Sequence, residues 1–203
     1  SPDKVFAIGI GSNRVGSLVS RDWSVPRFLF VGKDWQRKNG DAVVRAFGQI
    51  RRRHPGAELH IVGGAPTLAR AGITCHGLLR LEVAAERAKV DELFRRATCF
   101  VLPSLVEPSA IAYVEAATFG VASIASSVGG SRDLIGDNGI LVDPNDDMAL
   151  AAAMFMMCDP EVAAHLGRKA ASRAELFTWS AVAARILTIL GVPRSPLSPG
   201  VER

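Results

Sequence analysis

A chain of 203 residues that is 48% hydrophobic can bury one substantial core, which excludes a disordered polymer and sets one main domain as the default. A net charge of +4, from 24 basic and 20 acidic residues, does not demand nucleic acid, and no stretch approaches the roughly 20 apolar residues that cross a bilayer. Cys75, Cys99 and Cys158 are too few and too scattered for a disulfide framework or a zinc site. Cys75 and Cys99 read as small buried hydrophobes that suit a reducing cytoplasm.

In chain order, the first 26 residues open on a strand-like run, Val5-Phe-Ala-Ile-Gly-Ile10, and then lose any sustained period. From Arg27 onward, short β-branched or aromatic runs alternate with helical patterns, which predicts a largely parallel sheet covered by helices on both faces. Strands are expected at 27–31, 57–62, 73–75, 99–102, 121–125 and 139–142. Ala42, Val43, Ala46, Phe47 and Ile50 recur at helical spacing, as do Val90, Leu93 and Phe94. Arg51-Arg-Arg53 closes the first of these helices, where cations complement the helix dipole. Three more helices are expected near 146–157, 160–176 and 179–190, with a break at Asp159-Pro160. Pro193 to Gly200 is Pro- and Ser-rich and reads as a loose tail.

Gly9-Ile-Gly11-Ser-Asn-Arg14 fails as a dinucleotide fingerprint, because Arg14 stands at the third glycine position and no clear helix follows; it reads as a linker turn. No Gly-x4-Gly-Lys-Ser/Thr phosphate loop occurs. Lys38, in Lys38-Asn-Gly40 between the first sheet strand and its helix, suits a diphosphate, since an ammonium and helix amides offer charge and donors together. An ordinary basic loop is the alternative. Glu107 and Glu115 stand eight residues apart after the run Cys99-Phe-Val-Leu102. That puts one acid in a loop at a strand's carboxyl end and the other one to two turns into the next helix, where open α/β sheets bind ligands. Two acids there can hydrogen-bond the hydroxyls of a sugar or ribose, whereas taken alone Glu115 reads better as a solvated surface charge. His54, His60, His76 and His165 show no ligand spacing, and Trp23 and Trp35 read as packing or surface cover. Gly129-Gly130 is either a second donor-facing turn or a plain loop pair.

An ordered series of segments resembles the retaining glycosyltransferases of group 1 (family four): Phe28-Leu-Phe-Val-Gly32, Lys38-Asn-Gly40, Leu59-His-Ile-Val-Gly-Gly64, Val101-Leu-Pro-Ser104, the Glu-x7-Glu pair, Ala125-Ser-Ser-Val-Gly-Gly130 and Asn138-Gly-Ile-Leu-Val-Asp-Pro144. The resemblance runs from about Arg27 to about Leu190. It implies a Rossmann-like α/β domain, one half of a two-domain GT-B-type enzyme, with 1–26 as the end of the N-terminal domain and its connection, 27–178 as the nucleotide-sugar domain and 179–203 as a final helix and tail. It implies further that Lys38, with Lys33 as the second basic residue, contacts the donor diphosphate. Glu115 would bind the ribose, and Glu107 would lie near the transferred hexose; Glu107 and Lys38 are the expected catalytic residues, in a front-face mechanism that does not require Glu107 as a nucleophile. The turn through Ser109, Ala110 and Ile111 would cradle phosphate by its amides, although Ser109 and Ala110 stand where the family usually has an aromatic residue and a glycine. The donor would be a UDP-, GDP- or ADP-linked hexose, with no metal or other cofactor. The acceptor, a glycan, lipid or small molecule, would bind through the missing domain, as would any membrane association, so the chain alone would bind donor without transferring sugar. A nucleotide-sugar epimerase or glycosyl phosphorylase on the same fold, and a non-catalytic nucleotide-binding module, are the alternatives.

Overall fold

The computed structural model describes residues 5–192 except 7, 17 and 19, so the tail expected at Pro193 to Gly200 lies outside the described residues. Six parallel strands form one sheet: β1 (Arg27–Gly32), β2 (Glu58–Gly63), β3 (Ile73–Cys75), β4 (Cys99–Leu102), β5 (Ser123–Ser126) and β6 (Ile140–Val142). Their order is β3-β2-β1-β4-β5-β6. β1 and β4 are the central pair, and Phe28, Leu29, Phe30 and all of β4 are buried, as strands covered on both faces must be.

The helices are α1 (Gly40–Arg53), α2 (Ala84–Arg96), α3 (Ile111–Thr118), α4 (Ser131–Ile135), α5 (Asp147–Met156), α6 (Pro160–Ala174) and α7 (Trp179–Ile189), with a 3-10 turn at Glu175–Phe177. α1 buries Ala42, Val43, Ala46, Phe47 and Ile50, the stripe its spacing predicts. α5 and α6 each begin at an aspartate, Asp146 and Asp159, whose carboxylate accepts two backbone N–H bonds from the first turn. α6 packs on α3 through small residues: a Cβ on Gly167 would lie 2.5 Å from the Gly120 carbonyl oxygen. Among the described residues, no single helix is long and apolar enough to cross a membrane.

Two expectations are corrected. Val5 to Ile10 forms no strand in its described residues; Val5 and Phe6 are exposed, and the segment runs as irregular chain beside α7, where the Arg185 Nε donates to the Ile8 carbonyl at 2.8 Å. Apolar alternation without a sheet edge to pair with does not make a strand. Cys75 is exposed, because β3 is a three-residue edge strand paired only with β2. Cys99 and Cys158 are buried.

The described residues before β1 form a strap across the helices. The Ser12 amide donates to the Phe177 carbonyl at 2.6 Å. The Arg21 guanidinium donates to the carbonyls of Arg95 at 2.8 Å, Gly120 at 2.9 Å and Phe119 at 2.7 Å, which serve the C-terminal ends of α2 and α3. Trp23 lies under that guanidinium, 4.8 Å from ring centroid to Cζ.

Candidate functional site

The strand order reverses between β1 and β4. A doubly wound sheet opens a crevice at the carboxyl ends of the strands at such a point, and the segments carrying Lys38 and Glu107 leave the sheet there.

Lys38 is set by its neighbours in sequence. Its amide donates to the Asp34 carbonyl at 3.0 Å, and Gly32 leaves the space its stem occupies, a Cβ there falling 3.0 Å from Lys38 Cγ. Asn39 adopts a left-handed conformation at φ 61, and its side-chain amide donates to the Pro144 carbonyl at 2.7 Å. Gly40 admits the buried ring of Trp35, which would lie 2.4 Å from any Cβ. Lys-Asn-Gly is therefore a turn in which each residue has a separate task. Arg37 fastens this turn to the next loop, donating to the Val106 carbonyl at 3.1 Å, while the Leu105 amide donates to the Arg37 carbonyl at 2.9 Å.

Glu107 is only 3% exposed. The Lys38 ammonium and the Ser104 hydroxyl, the latter at 2.9 Å, both donate to its Oε2. A buried carboxylate requires such partners. Its backbone is held by the glycine pair: the Gly130 amide donates to the Glu107 carbonyl at 3.1 Å, and a Cβ on Gly129, at φ 73, would fall 1.9 Å from that oxygen. Gly129-Gly130 thus serves close backbone approach to the Glu107 loop.

Glu115 is 8% exposed, which removes the reading as a solvated charge. Burial pushes its carboxyl pKa up, the Arg14 guanidinium pulls it down, and Asp91 adds a smaller upward push. Arg14 Nε lies 3.5 Å from Glu115 Oε2, and Arg14 Nη1 donates to Asp91.

Two adjoining cavities of about 510 Å³ each open here. One is lined by Lys38, Glu107, Ser109 and Ala110, the other by Lys33, Arg14, Leu79 and Glu115. Val31, Ile111 and Ala112 border both, so they are two chambers of one cleft. Lys33, Lys38, Glu107, Ser109, Ala110, Ile111 and Glu115 all line it, whereas Gly129 and Gly130 do not. Lys33 falls in the chamber of Glu115, apart from Lys38. α3 begins at this cleft with Ala110 as its N-cap and no side-chain hydrogen bond capping it, which leaves its first amides to another acceptor. A cavity of about 580 Å³ at the opposite end of α3, lined by Arg21, Trp23 and Gly167, is remote from these acids and belongs to the seat of the strap. Among the described residues, no cluster of three or more His, Cys, Asp and Glu could hold a metal ion.

Sequence reasoning missed Arg14, Asp91 and Ser104. Ser104 had a local signal, three residues before Glu107 in one turn. Arg14 had none, because its partner Asp91 is 77 positions away.

Residues 25–159 match the family described as the group 1 glycosyl transferases. The chain belongs to this family. It is 32% identical over 186 residues to a D-inositol 3-phosphate glycosyltransferase of Acidothermus cellulolyticus, covering 84% of this chain and 41% of that protein. It is 25% identical over 178 residues to the sucrose-phosphate synthase of Spinacia oleracea, covering 76% of this chain and 17% of that one. The group 1 chain thus spans less than half of either relative. The structure of the Thermosynechococcus elongatus sucrose-phosphate synthase superposes with a TM-score of 0.66 at 29% identity, over 84% of this chain and 46% of the other. S. aureus TarM superposes with a TM-score of 0.72 at 14% identity, over 88% of this chain and 38% of TarM, a likeness of fold alone.

Proposed function

We propose that the cleft between β1 and β4 binds a nucleotide sugar, and that the chain is the donor-binding half of a two-domain retaining glycosyltransferase. The observation that carries this reading is the placing of Lys38, Glu107 and Glu115 along one cleft at the sheet's switch point, with the uncapped start of α3 between them. Lys38 and the α3 amides suit the donor diphosphate, as a cation and oriented N–H groups neutralise a leaving phosphate. Glu115 suits a ribose, because a buried carboxylate accepts charge-assisted bonds from hydroxyls. Glu107, tied to Lys38 and Ser104, suits the hydroxyls of the transferred hexose. Its buried, doubly bonded Oε2 is poorly placed for nucleophilic attack, so the donor phosphate would assist deprotonation of the acceptor, and the protein would contribute position and charge. The acceptor would be held by a second domain; the family relatives' greater length supports that arrangement.

The test is thermal stabilisation of the chain by UDP, GDP and ADP and their hexose conjugates. A ligand at 100 times its dissociation constant is expected to add about 2.7 kcal/mol. Glu115→Gln should weaken both the free nucleotide and the conjugate, and Glu107→Gln chiefly the conjugate. Equal loss of free-nucleotide binding in both variants would refute the division of roles, and no stabilisation by any of the six ligands would refute the donor site.

A further inference from the structure

Arg14 comes from the strap, outside the segments that resemble the family, yet its side chain lies in the wall of the Glu115 chamber. Its side chain is only 8% exposed. Its surroundings hold two carboxylates against one guanidinium: Asp91 of α2 on Nη1 and Glu115 of α3 facing Nε, with the Phe94 ring centroid 5.9 Å from Cζ. Arg14 Nε is buried and makes no hydrogen bond. Glu115 Oε2, at 3.5 Å, lies a few tenths of an ångström beyond a formed bond. A buried guanidinium donor facing a carboxyl group is compensated most strongly while that group is ionised.

We infer that Arg14 is a positioning residue for nucleotide binding: anchored by Asp91, it holds Glu115 oriented and charged so that the carboxylate can accept hydroxyl bonds from a nucleoside in this chamber. This rests on the reading of the chamber as the nucleoside site. The strap thereby takes part in ligand binding as well as in structure. Burial and the nearby Asp91 both favour the protonated form of Glu115, and Arg14 is the group that opposes them. The other charged groups lining the chamber are Lys33, Arg80 and Glu82. Without Arg14, Glu115 would take up its proton at a higher pH and lose the charge-assisted part of its bonds.

The experiment measures the affinity of the 203-residue chain for whichever of UDP, GDP and ADP binds best, from about pH 6 to about pH 8.5, the range above an ordinary carboxylate's titration. Wild type is expected to show the weaker pH dependence. Arg14→Met should lose affinity increasingly toward low pH, by about tenfold at the acid end, which corresponds to one unit of differential protonation. It should recover toward high pH, and Arg14→Lys, which keeps a cation, should restore much of the wild-type profile. In a Glu115→Gln background, Arg14→Met should add no pH dependence. Carboxyl carbon NMR of Glu115 without ligand should show its titration moved upward in Arg14→Met. An unmoved Glu115 titration, or a loss equal at every pH, would overturn the inference. Unchanged nucleotide affinity in Glu115→Gln would instead overturn the nucleoside reading, while the NMR result would still report on Arg14 and Glu115.

Discussion

Lys38 and Glu107 face each other across the cleft as a nearly closed pair, 12% and 3% exposed in their side chains. Removing one member leaves the other as an unpaired buried charge, which costs more than the pair contributes net. Lys38→Met is expected to destabilise the fold by about 2–4 kcal/mol, and the double variant Lys38→Met/Glu107→Gln by clearly less than the sum of the two single losses. Urea unfolding of the four proteins checks this; additive losses would mean that the two side chains do not act as a pair. The consequence for affinity measurements is that Lys38→Met must be compared with the double variant before any loss is assigned to diphosphate. At this scale the sequence makes Lys38, Glu107 and Glu115 readable, because each lies in a short motif beside a strand end. It hides that Lys38 and Glu107 bond each other, since their 69-residue separation carries no local period.

The segment before the sheet and the sheet's β3 edge are where this molecule departs most from what spacing alone implies. Most strand and helix bounds are legible to within a residue or two, since apolar runs and aspartate caps mark them directly. The failures share a cause: Val5 to Ile10 has a strand's pattern without a neighbour, and Cys75 has an interior residue's chemistry on an edge strand. Arg21 shows the converse, a charged residue in an unpatterned stretch that satisfies the last carbonyls of α2 and α3. Burial holds its guanidinium pKa down at about 10. Arg21→Met should cost about 2–4 kcal/mol, because several carbonyls lose a charged donor together. The melting temperature should fall by about 5–15 °C; a change within a degree would show that water replaces the guanidinium without loss.

The β2–β3 edge carries a second expectation. His60 Nδ1 and His76 Nε2 lie 3.1 Å apart with stacked rings, and His60 Nε2 is 3.1 Å from Glu58 Oε2. Burial, then Lys89, then His60 hold the His76 pKa at about 4, below its ordinary 6.5. The unfolded chain therefore binds the proton first, so this group's contribution is intact above pH 6.5 and is lost as pH falls toward 4. A His76→Gln variant should show a shallower fall in melting temperature across that window, and equal slopes would rule this histidine out as the source.

At the scale of the whole molecule, the stretch that matches the family, residues 25–159, is smaller than the unit that packs together. The strap on one side and α6 on the other close over α3, α7 packs on the 3-10 turn that follows α6, and contacts join the two ends of the described chain: Ser12 to Phe177, Asn13 to Trp179 and Ile8 to Arg185. These pairs fix an order of events during synthesis. The strap emerges from the ribosome before any strand of the sheet, yet Phe177, Trp179 and Arg185 follow it by more than 160 residues, 177 in the case of Ile8 and Arg185. Until they appear, the strap has no seat on α7, although Arg14 and Arg21 already have partners in α2 and α3. The sheet can thus assemble on the nascent chain while the last contacts, those of highest sequence separation, wait until α7 has been made. Clasping the strap to α7 therefore follows the strands and helices that wall the cleft, all of which precede α7 in the chain.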